Sequence, residues 1–201
     1  MSLTLTENLT FNQDGKYISA LKIPHSTNTS GWGSLMLPVI VVRNGVGPTV
    51  LFTGGNHGDE YEGPIALRKL ANELKADDIQ GQVIIVPYLN YPAVLAGTRL
   101  SPVDGQNMNR SFPGNPDGSM TQKIADFVYR ELVLRSDVVL DFHSGGNSMI
   151  FEPCTVLHKL EDSEQLKKTV LAAKSFGAPV SLVLQELDNK GMLDTEVENT
   201  G

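Results

Sequence analysis

The chain has 201 residues, of which 40% are hydrophobic and 19% are charged, a composition typical of an ordinary soluble globular domain. Its formal net charge of -7 disfavours nucleic acid and anionic membrane surfaces as partners, because both attract clusters of Lys and Arg. A single cysteine, Cys154, excludes an intramolecular disulfide, and no segment reaches the ~18 apolar residues of a membrane span. Because the N-terminus also lacks the pattern of a signal peptide, we expect a cytoplasmic protein.

Apolar runs alternate with turn signals along the chain, and this pattern predicts an α/β fold. Predicted strands cover residues 3–23, interrupted by a turn at 12–15, and then 34–43, 49–53, 82–89, 137–142 and 180–184. Predicted helices begin near Pro64 and cover 121–135 and 163–175. The polar segment 90–119 is too long for a plain connection. Strand 49–53 is apolar without alternation, so we expect a mixed, largely parallel sheet with helices on both faces.

Two motifs place metal-binding side chains at the ends of predicted strands. His57 and Glu60 follow strand 49–53, among glycines that permit a tight turn, and His143 follows strand 137–142. A His-x-x-Glu pattern alone is common on solvated helices, but two histidines and one carboxylate together form a zinc site with an open position for water. Asp141 lies on the same side of its strand as His143 and can hydrogen-bond to a ligand histidine. These residues predict a zinc-dependent hydrolase.

Several other polar residues are of the types that can contribute to such a site. His25 and His158 lie in polar surroundings and are predicted to be surface residues. Ser144 follows His143, but the absence of a Gly-x-Ser-x-Gly motif argues against a serine hydrolase. In the polar segment, the guanidinium groups of Arg99 and Arg110 are suited to a carboxylate or an oxyanion, and Asn109 adds an amide donor.

Three motifs occur in a fixed order: Gly-Gly-Asn-His-Gly-Asp-Glu at 54–60, Asn-Met-Asn-Arg-Ser-Phe-Pro-Gly at 107–114 and Asp-Phe-His-Ser-Gly-Gly at 141–146. With them the chain resembles the succinylglutamate desuccinylase/aspartoacylase family of the zinc carboxypeptidase clan. Within that family it is most similar to bacterial deacylases of small N-acyl amino acids, such as the N-acetyl-diaminobutyrate deacetylases.

The resemblance implies a zinc-carboxypeptidase-like α/β fold and one Zn²⁺ per chain. It implies that the metal ligands are His57, Glu60 and His143. It also implies that Arg99 polarises the scissile carbonyl, while Asn109 and Arg110 hold a carboxylate of the substrate.

The chain departs from the family pattern at two points. Family members usually carry Asp where this chain has Asn107. The family's general-base glutamate lies on a later strand, before a glycine-rich run and a small β-rich domain, and none of these is present by Gly201. Glu186, Glu196 and Glu198 are the nearest glutamates, but they lack the glycine-rich context and are not assigned the role. We therefore expect residues 1–201 to be a zinc hydrolase catalytic domain that is incomplete at its C-terminal end.

The predicted function is that of a zinc-dependent deacylase that cleaves the amide bond of a small N-acyl amino acid. Two alternatives stay open: a metallocarboxypeptidase acting on peptides, and a non-catalytic zinc- or carboxylate-binding domain. The sequence does not identify the acyl group or the amino acid, and it leaves open whether the protein is a homo-oligomer.

Overall fold

The computed structural model of the protein describes residues 3–5, 9–185 and 190–200. Its strands are Thr4–Leu5 (β1), Gly15–Pro24 (β2), Ser34–Asn44 (β3), Thr49–Gly54 (β4), Gly81–Val86 (β5), Val138–Phe142 (β6), Cys154–His158 (β7) and Val180–Leu184 (β8). Its α-helices are Glu62–Glu73 (α1), Tyr91–Ala96 (α2), Met120–Phe127 (α3), Ser163–Phe176 (α4) and Leu193–Glu198 (α5). In the part of the chain described, no helix is long and apolar enough to cross a membrane.

The main sheet has six strands in the order β1-β2-β3-β5-β4-β6. Its pairings are antiparallel from β1 to β5, whereas β4 is parallel to both β5 and β6. The predicted mixed α/β sheet is confirmed, and the parallel pairings lie in the half that contains β4 and β6. Because Gly54 at the end of β4 pairs with Phe142 at the end of β6, the residues that follow these two strands emerge at the same edge of the sheet.

Apolar cores cover both faces of this sheet. Neighbouring residues of β3 point to opposite faces, with Val41 in one core and Val42 in the other. Helix α3 packs on the first core through Ile124, and α5 adds Leu193 to it, while α1 packs on the second core through Leu67. The prediction of helices on both faces is confirmed. Burial from two sides also explains why the central strands are apolar without alternation.

Three elements differ from the predicted ones. Strand β5 ends at Val86 instead of continuing to residue 89, and the Leu89 N–H donates to the Gly54 carbonyl (2.8 Å). The polar segment contains the short helix α2, which has Pro92 in its first turn and ends at Gly97 in the left-handed conformation. The helix predicted for 121–135 is an α-helix only to Phe127, after which one wider π turn (128–132) and one tighter 3-10 turn (133–135) follow.

A second, two-stranded sheet lies outside the main one. It pairs β7 in parallel with β8, and α4 forms the crossover between them. The sequence pattern did not predict β7, and it predicted β8 without showing that β8 is separate from the main sheet. Helix α4 begins where the side chain of Asp162 accepts hydrogen bonds from the N–H groups of Glu164 and Gln165, and it ends at Gly177 in the left-handed conformation.

Candidate metal centre

The ends of β4 and β6 bring the three predicted metal ligands together. His57 and Glu60 lie in the turn between β4 and α1, and His143 directly follows β6. One ligand atom from each residue lies within 4.8 Å of the ligand atoms of the other two. His57 and Glu60 are almost completely buried, whereas the His143 side chain is 35% exposed. The cluster is therefore open to solvent on the side of His143.

The carboxylate of Glu60 lies between the two imidazole rings. Its Oε1 is 2.7 Å from Nδ1 of His57, and its Oε2 is 2.8 Å from Nδ1 of His143. The backbone N–H of Ser144 also donates to Oε2 (3.1 Å). Burial raises the pKa of Glu60, but hydrogen bonds from His143 and His57 and the charge of His143 outweigh burial, so the pKa lies well below its usual range. Glu60 is therefore ionised, as a metal ligand must be.

A second carboxylate holds the outer edge of the His143 ring. Nε2 of His143 lies 2.9 Å from Oδ2 of Asp141, which also accepts from Nδ2 of Asn56 (2.8 Å), while Oδ1 accepts from the hydroxyl of Thr53 (2.6 Å). Burial lowers the pKa of His143, but the charge and hydrogen bond of Asp141, together with Glu60, raise it to about 10. Burial raises the pKa of Asp141, but the charge of His143 and the hydrogen bonds to the carboxylate outweigh burial, so the pKa of Asp141 is lowered. Asp141 thus makes the contact that the sequence predicted for it.

Glycines shape the turn that carries His57 and Glu60. Gly55 adopts a positive φ of 69°, a conformation that side chains rarely allow. At Gly58, an added Cβ would overlap the backbone carbonyl group of Ala93 in α2. The N–H of Gly58 donates to the Thr98 carbonyl (3.0 Å). The turn can therefore pack directly on the backbone of α2, which fixes it against the loop that carries Arg99.

Arg99 reaches the cluster from the solvent side. Its guanidinium donates to Oε1 of Glu60 (3.2 Å), and its side chain is 54% exposed. The structure therefore places the guanidinium beside the Glu60 carboxylate, with about half of the Arg99 side chain facing solvent.

Asn109 and Arg110 occupy the second motif, in a short 3-10 turn formed by Met108–Arg110. The Asn109 side chain is buried, and its Oδ1 accepts from Nδ2 of Asn56 (3.2 Å) and from the N–H of Leu193 (3.0 Å). Within the described residues its own Nδ2 makes no hydrogen bond and stays available as a donor. Arg110 is exposed and donates to the carbonyl of Asn109 (2.6 Å), and among the described contacts it has none with the metal cluster.

Three polar residues beside the ligands were not identified from the sequence as part of the site. Thr53 and Asn56 bind the Asp141 carboxylate, and Asn107 lies next to His57, with 3.2 Å between Oδ1 and Nε2. A signal existed for Thr53, because a polar side chain that directly follows the apolar run 50–52 in β4 needs a buried partner. Asn56 directly precedes His57, and its complete burial could not be read from that position.

His158 is not the surface residue that was predicted. Its side chain is 13% exposed, and Nδ1 lies 2.5 Å from Oε2 of Glu198, because β7 packs its last residue against α5. Glu198 is thus paired with a histidine outside the metal cluster. Burial raises the pKa of Tyr129, and the nearby charge of Glu196 raises it further. Glu186 lies outside the described residues.

The donor set fits a zinc ion. Two imidazole nitrogens and one carboxylate are ligands that zinc prefers, and they leave a position for water. The opposite nitrogen of each ring faces an oxygen, Asp141 for His143 and Asn107 for His57, as ligand histidines require.

Comparison with known proteins assigns this arrangement to a family. The model of the succinylglutamate desuccinylase/aspartoacylase catalytic domain matches residues 46–201, which include all three motifs. The chain belongs to this family. The resemblance predicted from the motifs is thereby confirmed.

Individual relatives are similar over nearly the whole chain. N-alpha-acetyl-L-2,4-diaminobutyric acid deacetylase of Halomonas elongata is 53% identical over 197 residues, which are 98% of this chain and 58% of the relative. A product-bound structure of the ectoine utilization protein EutE from Ruegeria pomeroyi is 49% identical with a TM-score of 0.92, covering 98% of this chain and 60% of that one. A succinylglutamate desuccinylase structure from Silicibacter sp. TM1040 is 49% identical with a TM-score of 0.93, covering 99% and 60%. The chain thus spans about three fifths of the length of these relatives.

Proposed function

We propose that the protein is a zinc-dependent deacylase that hydrolyses the amide bond of a small N-acyl amino acid. The observation that carries the proposal is the cluster in which Nδ1 atoms of two histidines face the two oxygens of Glu60, with Arg99 beside it. N-alpha-acetyl-L-2,4-diaminobutyric acid, after which the Halomonas elongata relative is named, is the leading substrate candidate, since that relative is 53% identical.

The side chains divide the work of an amide hydrolysis. One zinc ion held by His57, Glu60 and His143 would activate water and polarise the scissile carbonyl. Arg99, half-exposed and 3.2 Å from Glu60, is positioned to donate to the carbonyl oxygen as negative charge develops on it. Arg110 and the free Nδ2 of Asn109 offer donors for the substrate carboxylate, which keeps its charge throughout the reaction.

Metal content tests the first part of the proposal. We expect the purified protein to hold one zinc ion per chain, and we expect His57→Ala and His143→Ala to lose it, because each variant leaves only two of the three ligands. His25→Ala is the matched control, since His25 lies in the loop between β2 and β3 and should leave the zinc content unchanged. Equal zinc content in all four proteins would disprove the metal site.

Substrate preference tests the second part and separates the alternatives. The protein would be assayed with N-alpha-acetyl-L-2,4-diaminobutyrate, with N-succinylglutamate and with a peptide that ends in diaminobutyrate. A deacylase should prefer the acyl amino acid over the peptide by ~100-fold in kcat/KM, a difference that a closed pocket can produce. Faster cleavage of the peptide would indicate a metallocarboxypeptidase. Zinc binding without hydrolysis of any of them would indicate a non-catalytic zinc- or carboxylate-binding domain.

The two arginines should be separable by kinetics. Arg99→Ala should mainly lower kcat, by ~100-fold or more, because the interaction strengthens only as charge develops. Arg110→Ala should mainly raise KM, because a carboxylate is charged equally before and during the reaction. Arg68→Ala, an exposed change on α1, is the control. If Arg99→Ala and Arg110→Ala both stay within about twofold of wild type, neither arginine has the proposed role.

The general base is not assigned among the described residues; the resemblance to the family implies a glutamate on a later strand. The cytoplasmic location stays a prediction from the sequence.

A further inference from the structure

Two asparagines next to the turn that carries the ligands have buried side-chain atoms without a protein partner. Asn56 and Asn90 are both completely buried. Among the described residues, Oδ1 of Asn56 and both Oδ1 and Nδ2 of Asn90 have no hydrogen-bond partner. A buried polar group without a partner costs free energy, so folded proteins pair nearly all such atoms, either with protein atoms or with ordered water.

The orientation of the Asn56 amide is fixed by two acceptors. Its Nδ2 donates to Oδ2 of Asp141 (2.8 Å) and to Oδ1 of Asn109 (3.2 Å). An ionised carboxylate can only accept, so the atom of Asn56 that faces Asp141 must be the nitrogen. Turning the amide over would place two oxygens against each other. Oδ1 of Asn56 therefore points away from Asp141 and needs a donor of its own.

Asn90 lies where the turn meets α2. Its N–H donates to the carbonyl of Gly55 (2.9 Å), the residue before Asn56, and its carbonyl accepts from the N–H of Val94 (3.0 Å). Asn90 directly precedes α2, a position from which an asparagine side chain often accepts from the first helical turn. No such bond is present within the described residues, so the side chain does not cap the helix.

Burial limits what can complete these hydrogen bonds. Neither side chain has exposed surface, so a substrate or a further protein segment cannot reach them without displacing the residues that cover them. A metal ion is excluded as the partner of Nδ2 of Asn90, because an amide nitrogen donates and a cation cannot accept. Water both donates and accepts, and a buried water typically makes about three hydrogen bonds to polar groups that lack other partners.

We propose that buried water lies beside the metal-binding turn, where it donates to Oδ1 of Asn56 and pairs with the side-chain amide of Asn90. The proposal does not rest on the zinc-dependent function, since neither asparagine is a metal ligand. Asn56 donates to Asp141, which holds the ring of His143. The water therefore extends the hydrogen-bonded network of the candidate metal centre into the interior of the protein.

A high-resolution crystal structure tests the proposal directly. We expect an ordered water within ~3.2 Å of Oδ1 of Asn56, and an ordered water within ~3.2 Å of Oδ1 or Nδ2 of Asn90. The two positions can belong to one molecule or to two. The proposal is overturned if either side chain lacks such a water, including the case in which it is paired with protein atoms alone.

Thermal unfolding of Asn90→Leu provides a second test, because the sign of the change depends on the water. Leucine has a similar volume but cannot hydrogen-bond, so bound water would lose a partner and Tm should fall by ~2–8 °C. Without water, leucine would replace an unpaired buried amide, and Tm should rise. Asn72→Leu makes the same exchange at an exposed position of α1 and should stay within about 2 °C of wild type.

A Tm of Asn90→Leu that is higher than wild type, or within about 2 °C of it, would overturn the proposal. Should this variant fail to fold, the crystal structure of the wild type decides. Loss of zinc binding in the wild type would refute the proposed function and leave this test unaffected.

Discussion

Replacing Gly58 by Ala should destabilise the protein through a single steric overlap. The φ of Gly58 is not in the left-handed region, so the cost does not come from backbone strain. It comes from the new Cβ, which would overlap the backbone carbonyl group of Ala93 and the amide nitrogen of Val94. Since carbon atoms in contact normally lie ~3.5–4.0 Å apart, the turn and α2 would have to separate by roughly 1.5 Å.

The size of the effect follows from the neighbours. Overpacking typically costs ~1–3 kcal/mol, and a neighbour that is backbone instead of a flexible side chain puts Gly58→Ala at the upper end, about 3 kcal/mol. For a chain of this size each kcal/mol lowers Tm by ~2–4 °C, so we expect a loss of ~6–12 °C. Separation would also break the hydrogen bond from the Gly58 N–H to the Thr98 carbonyl, and His57 would move with the turn.

Thermal unfolding followed by circular dichroism, together with zinc content, would measure both consequences. Gly31→Ala is the matched control, because its added Cβ meets no atom within 4 Å and its φ is not in the left-handed region. It should leave Tm unchanged or raise the stability by about 0.4–1 kcal/mol by restricting the unfolded chain. If the Tm of Gly58→Ala lies within about 2 °C of wild type, the close packing of this turn on α2 is wrong.

Three further predictions test individual contacts. Asp141→Asn removes the carboxylate that faces His143, so zinc affinity should fall ~10–100-fold in a chelator competition, and an unchanged affinity would show that Asp141 does not orient the ring. The pKa of His143 is raised to about 10, so zinc must displace the proton of this ring near neutral pH. Calorimetry in buffers of different ionisation enthalpy should therefore detect about one proton released per zinc bound. The number of protons released should decrease as the pH rises through about 10. Burial raises the pKa of Asp104, but hydrogen bonds from Thr121 outweigh burial and lower it. Ionised Asp104 therefore stabilises the folded protein. This stabilisation is complete above the unfolded pKa of about 3.9 and is lost as the pH falls through the lower folded pKa. By urea unfolding, Asp104→Asn should therefore have a lower free energy of unfolding than wild type at neutral pH, and the two values should converge in strong acid. A difference that stays constant with pH would contradict the assignment.

The sequence by itself predicted the cluster of His57, Glu60 and His143 and the main elements around it. His57, Glu60 and His143 could be predicted because each signal is local: a buried apolar strand, a glycine turn and a metal-binding residue type stand within a few positions of one another. The carboxyl ends of parallel strands lie at one edge of a sheet, so a shared site could be expected, and the structure shows that β4 and β6 are neighbours there. Asp141 was predictable for the same reason, because alternation along a strand places it on the side of His143.

Short elements and separate sheets were not determined in this way. Helix α2 has six residues, too few for a helical period to stand out, and it lies in a segment dominated by turn residues. The pattern of 121–135 predicts a helix but not the change of hydrogen-bond spacing after Phe127, because apolar periodicity does not specify which carbonyl each N–H reaches. Strand β8 has a clear strand signal, yet its partner is set by where α4 returns the chain.

Only the tertiary structure decided the contacts that hold the ligands in place. Asn107 reaches His57 across 50 positions of sequence, and Asn56 reaches Asp141 across 85. His158 was expected at the surface and instead meets Glu198 on α5. No local pattern encodes these pairs, because residue type and spacing set what a side chain can do, whereas its partner depends on how distant loops pack against the sheet edge.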